Sequence, residues 1–98
     1  MQICLTALIK SKPEHTAEVL QALENMVVQT RKEPACLQYD LHQSLDDANL
    51  FVFYEIWENR EGLDLHFQQP YIREFGLLAD EKLAEKPEVF MTRKIEKD

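Results

Sequence analysis

The first ten residues alternate in a two-residue rhythm, and the next twenty change to a spacing of three and four, so the chain opens with a strand that leads into a helix. In residues 2–10, Ile3, Leu5, Ala7 and Ile9 fall on one face, and Cys4, Thr6 and Leu8 fall on the other. Ser11-Lys12-Pro13-Glu14 reads as a capping box. Val19, Leu20, Leu23, Met26 and Val27 then form the apolar stripe of a helix that stops before Pro34, with Arg31 and Lys32 suited to the negative end of its dipole. Residues 36–44 form a second strand, Asp46-Asp47-Ala48-Asn49 a turn, and residues 50–58 a third strand of strong β-formers. Asn59 can cap a second helical region that carries Leu63, His66 and Phe67 on one side. Pro70 should break or kink that region before Tyr71, Phe75, Leu78 and Leu83 continue it, and residues 88–95 close the chain as a fourth strand.

The order β-α-β-β-α-β is that of an α+β, ferredoxin-like fold with an antiparallel sheet. The third strand has Phe51, Phe53, Glu55 and Trp57 on one face and Leu50, Val52, Tyr54 and Ile56 on the other. Neither is a solvent face, whereas a sheet covered on one side only should turn polar residues outward. Two helical regions placed on one side by the right-handed crossover rule leave the second face to another copy of the chain, and we therefore expect a homodimer.

With 98 residues, 45% hydrophobic and 30% charged, and only two glycines, the chain is expected to be one ordered domain across 1–98 with a thin core. A formal charge of -7 and scattered Lys and Arg argue against nucleic acid as a partner. The strand pattern begins directly after Met1, and no apolar run approaches the roughly 20 residues of a membrane span, so a cytoplasmic protein without a membrane partner is expected. Cys4 and Cys36 read as buried free thiols. The spacing of His and Cys makes no local zinc motif, the isolated Gly62 and Gly76 make no phosphate loop, and no glycine-flanked serine elbow is present.

Four segments together resemble the antibiotic biosynthesis monooxygenase domain over essentially the full chain: Glu33-Pro34-Ala35-Cys36-Leu37-Gln38-Tyr39, Phe53-Tyr54-Glu55-Ile56-Trp57, Leu63-Asp64-Leu65-His66-Phe67 and Gln69-Pro70-Tyr71. The most specific piece is the aromatic-Tyr-Glu-x-Trp strand followed nine residues later by a helical His. The resemblance implies a dimeric α/β barrel with a pocket between helices and sheet in each subunit. It also implies a choice of reactions: oxidation of phenols or quinols by dioxygen without a cofactor, haem degradation, or isomerisation of a phosphorylated dione. Where relatives often carry a second His after the proline, this chain has Tyr71. At the positions of the haem-degrading Asn, Trp and His it offers Thr6, Trp57 and Gly76, so haem degradation is rejected.

The candidate catalytic residues are His66 and Glu55. An imidazole titrates near neutral pH and could remove a proton from a phenol or quinol, leaving an electron-rich anion able to reduce dioxygen itself. Strand face and family position suggest that Glu55 pairs with His66, since an ionisable group among Phe and Trp needs a partner. Trp57, Phe53, Tyr71, Tyr39 and Thr6 are the candidate substrate-binding residues, with no metal and no cofactor expected. Against this stands the possibility that His66 and Trp57 only order the core. Two further functions remain open: an isomerase of a small carbonyl compound, including phosphorylated ones, and a dimeric small-molecule binding module without turnover.

Overall fold

The computed structural model describes residues 1–97. The elements follow the anticipated order: β1 (Ile3–Lys10), a single 3-10 turn (Pro13–His15), α1 (Thr16–Thr30), β2 (Cys36–Gln43), β3 (Leu50–Trp57), α2 (Arg60–Phe67), α3 (Pro70–Lys82) and β4 (Glu88–Thr92). The strands form one sheet in the order β2-β3-β1-β4, with every neighbouring pair antiparallel. β1 and β2 are therefore parallel to each other and separated by β3, the arrangement of a split β-α-β unit. α1 packs on β2 and α3, and α2 packs on β3 and α3.

Register determines which residues share a face. β1 and β3 pair Ile3 with Trp57, Leu5 with Glu55, Ala7 with Phe53 and Ile9 with Phe51, so the inward alternation of both strands coincides as anticipated. The core under the helices contains Leu5, Ala7, Ile9, Phe51, Phe53 and Trp57, together with Val19, Leu23 and Met26 of α1 and Leu63 of α2. Full burial of each large side chain contributes on the order of 2–3 kcal/mol, so a protein this small depends on a few aromatic residues. The opposite face of the sheet carries Leu8, Val52, Ile56 and the 38%-exposed Tyr54, and among the described residues the helices pack on the other face. Among the described residues, no helix is long and apolar enough to cross a membrane.

Local chemistry accounts for the boundaries. The Asn59 side chain accepts a hydrogen bond from the Gly62 N–H at 2.8 Å and starts α2. Gly62 is buried there, and a Cβ at that position would collide with the Ala35 methyl. α2 ends at Phe67, and Pro70 opens α3 at its first position, where a missing N–H costs nothing.

Several expectations are corrected. The capping box does not form. Ser11 is buried, its N–H donates to the Asn49 carbonyl at 2.9 Å, and its hydroxyl meets the Thr16 hydroxyl at 2.9 Å. It ties the end of β1 to the β2–β3 turn, while Pro13 and the 3-10 turn begin the helical region without a side-chain cap. Leu83 lies beyond α3 in extended conformation and bridges to Ser11. β2, β3 and β4 all end earlier than expected, at Gln43, Trp57 and Thr92. A register shift between Cys36 and Gln38 pushes Leu37 out of the pairing, so Cys36 stands opposite Trp57 on the inner side. Cys4 pairs with Ile56 on the other face, and the two free thiols are half-buried on opposite sides of the sheet.

Candidate active site

Aromatic side chains from β2, β3, α2 and α3 converge beneath the helices. The inward face of β3 presents Phe53 and Trp57, and beyond the bulge β2 presents Tyr39 opposite Glu55. The Tyr39 ring lies 4.8 Å from that of Phe53 and 6.5 Å from that of Trp57, measured between centroids. The α2 periodicity that buries Leu63 also turns His66 inward, where its ring sits 4.5 Å from Trp57 and 5.7 Å from Tyr39. Tyr71, in the first turn of α3, faces His66 at 6.4 Å. Phe67, expected to share the buried side of α2, is instead largely exposed, though its ring still lies 5.7 Å from His66. His66 is only 3% exposed.

The partner of His66 is Glu33. Nδ1 of His66 lies 2.8 Å from Glu33 Oε2, and the Tyr71 hydroxyl donates to the same carboxylate oxygen. A carboxylate only accepts, so Nδ1 carries the proton in that bond and Nε2 is left with its lone pair. The expected pairing of His66 with Glu55 is not made: Glu55 accepts a hydrogen bond from Trp57 Nε1 at 2.9 Å, which satisfies a buried indole and a buried carboxyl together. Glu33 follows α1 in a tight turn, with its N–H donating to the Thr30 carbonyl and its own carbonyl accepting from Cys36 N–H. The sequence carried Glu33 at the head of the first segment that resembles the family, and as an acidic residue near the helix end where the dipole favours basic ones, but nothing along the chain linked it to His66.

Thr6 does not belong to this group. It pairs with Tyr54 and Phe90 on the opposite face of the sheet, because β1 turns Leu5 and Ala7 inward. Phe53, Trp57, Tyr39, Glu55, His66 and Tyr71 are brought together, and Glu33 joins them.

Burial determines the charges here. It lowers the His66 pKa, opposed by the Glu33 carboxylate, so the imidazole is neutral at neutral pH. It raises the Glu55 carboxyl to about 7, partly offset by the Trp57 hydrogen bond and reinforced by Glu33. The Tyr71 phenol is pushed up to about 12 by burial and by Glu33, and burial beside Glu55 raises Tyr39 as well. Both phenols therefore remain hydrogen-bond donors. The guanidinium of Arg31, just after α1, is engaged with the Tyr39 carbonyl at 3.0 Å and with Asp40 at 3.1 Å.

The family described as antibiotic biosynthesis monooxygenase matches residues 2–76, which include every residue of this cluster. The chain belongs to the antibiotic biosynthesis monooxygenase family. A Synechocystis protein named "Uncharacterized protein sll1783" is 36% identical over 81 residues, covering 83% of this chain; the chain thus spans just over half of that relative, 55% of its length. A Bacillus subtilis protein named "Putative monooxygenase YcnE" is 31% identical over 90 residues, covering 92% of this chain and 95% of that protein. Among solved structures, PA3566 from Pseudomonas aeruginosa superposes with a TM-score of 0.91 at 27% identity, over 97% of this chain and 95% of that one. The family's shared architecture accounts for the four-stranded antiparallel sheet with its helices on one face.

Proposed function

We propose that the protein is a monooxygenase that needs no cofactor and oxidises a small phenol or quinol with dioxygen. The observation that carries this reading is the placement of His66: buried, held through Nδ1 by Glu33 and packed against the Trp57 ring, where burial favours the neutral imidazole. An imidazole so placed is suited to take the proton of a ring hydroxyl. The resulting phenolate is electron-rich enough to pass an electron to dioxygen, and the two radicals can join at a ring carbon. Loss of water from that hydroperoxide leaves a new carbonyl, so one oxygen atom stays on the ring, the other leaves as water, and the ring supplies the electrons. Trp57, Phe53 and Tyr39 would form the apolar wall against which the ring lies. Glu33 is the positioning residue for His66, the role first expected of Glu55.

The electrostatics favour this substrate class over a phosphorylated carbonyl compound. Glu33 and Glu55 both face the site, and the guanidinium of Arg31 is already engaged by Tyr39 and Asp40. A dianionic ligand would meet repulsion that a neutral phenol does not. The name of the Bacillus subtilis relative, "Putative monooxygenase YcnE", supports oxygenation over isomerisation and carries no substrate.

The active form would be a homodimer joined through the apolar face opposite the helices. Leu8, Val52, Tyr54 and Ile56 together give that face the character of an interface core.

The test is oxygen consumption by the pure protein on a panel of quinols and polyphenols, with His66→Ala as control. Uptake above autoxidation that disappears in the variant is expected. Wild-type rates no higher than autoxidation on every member would refute the assignment.

A further inference from the structure

The hydroxyl of Tyr71 and Nδ1 of His66 end on the same atom, Oε2 of Glu33. The three side chains come from separate places: the turn after α1, the last turn of α2 and the first turn of α3. The side chains of His66 and Glu33 are 4% and 11% exposed, so these protein donors supply most of what that oxygen accepts. Burial and Glu33 push the Tyr71 phenol up to about 12, which keeps it a donor at neutral pH. Its oxygen lies beside the hydroxyl of Thr30, the buried last residue of α1, which also lies beside Tyr39. Donors that share one oxygen divide its accepting power, and each one draws off part of the carboxylate charge. That charge is what favours a proton on His66 against the effect of burial. With His66 as its sole donor, Glu33 would hold the imidazolium more firmly.

We propose that Tyr71 is a positioning residue of this site: by donating to Oε2 of Glu33 it takes a share of the carboxylate and leaves His66 free to act as a base. The inference rests on the reading of His66 as the base and deepens it to how that base is kept ready. Tyr71 acts on His66 through Glu33, since the two rings lie 6.4 Å apart between centroids and their bonds meet at the carboxylate. The other titratable groups around this couple are Tyr39 and Cys36 of β2 and Glu55 of β3. Burial raises the Cys36 thiol to about 11 and raises Tyr39 as well, so both stay neutral while His66 titrates. Glu55 changes charge near 7, but it is bonded to Trp57 and is common to every protein compared below. The charged neighbours pair among themselves, Arg31 with Asp40 and, on α2, Arg60 with Asp64.

The test is a titration of the His66 imidazole by nuclear magnetic resonance in the full chain, its signals identified by their loss in His66→Ala. Tyr71→Phe removes the shared donor and keeps the ring. His66 should then bind its proton about threefold more tightly, a part of what one net hydrogen bond contributes, and its midpoint should move to higher pH. The acid limb of kcat/KM should move with it. Made on Glu33→Gln, where no charge is left to share, the same change should leave the midpoint in place. Tyr71→Leu reads the same midpoint should phenylalanine disturb the packing. A midpoint that stays or falls in the phenylalanine and leucine variants, or that rises equally on Glu33→Gln, overturns the proposal. The expected rise without oxygen consumption on any phenol or quinol would remove the oxygenase reading and leave the role of Tyr71 standing. Oxygen consumption with an unmoved midpoint would do the reverse.

Discussion

Glu55→Gln should alter the pH dependence of stability more than stability at any one pH. Glu55 is 3% exposed, and its carboxyl is raised from an ordinary 4.5 to about 7, chiefly by burial. In the unfolded chain the proton leaves near 4.5, whereas the folded protein holds it until about 7. Between these values the unfolded state binds fewer protons, so stability falls as pH rises. The contribution is fully present below 4.5 and lost as pH passes through 7. At about 1.4 kcal/mol per pH unit, the loss comes to about 3 kcal/mol, of which about 2.5 should appear between pH 5 and pH 8. Glutamine has nearly the same shape, can still accept from Trp57 Nε1, and cannot ionise. Any cost of its extra N–H groups is the same at every pH. His66 works in the opposite sense, its stabilisation being full above 6.5 and lost as pH falls through its lowered folded value, but it is present in both proteins and cancels. Urea unfolding of wild type and variant at pH 5 and pH 8 should therefore show the variant gaining about 2–3 kcal/mol relative to wild type across that interval. A constant difference at the two pH values would refute the reasoning and mean that Glu55 ionises freely in the folded protein.

Two further outcomes follow from the site and the sheet. Glu33→Gln removes the charge that opposes the lowering of the His66 pKa, so the acid limb of kcat/KM should move to lower pH while the maximal rate falls on the order of tenfold; a limb that stays in place would detach Glu33 from His66. Val52→Arg, on the face opposite the helices, should convert the proposed dimer to a monomer in sedimentation velocity and leave the circular dichroism spectrum unchanged. A wild-type protein that sediments as a monomer would end the dimer proposal.

Periodicity and local chemistry determined the element order, the cap at Asn59, the break at Pro70 and the inward faces of β1 and β3. These depend on neighbours within a turn or on a strict two-residue alternation, and both can be read along the chain. The same patterns placed Tyr39, Phe53, Trp57 and His66 on converging faces. Only the tertiary structure decided how those residues are connected. Glu33 and His66 are 33 positions apart and meet because the turn after α1 lies beside α2, a distance that no periodicity encodes. Glu55 bonds Trp57, its neighbour on the same strand face, where the sequence alone points to a pairing with His66. The β2 register shift moved Cys36 to the inner side, and the long-range contacts of Ser11 displaced a capping box that was locally sound. Thr30 is buried beside two phenols because α1 packs against β2 and α3, and within the helix its spacing marks only one more inward position.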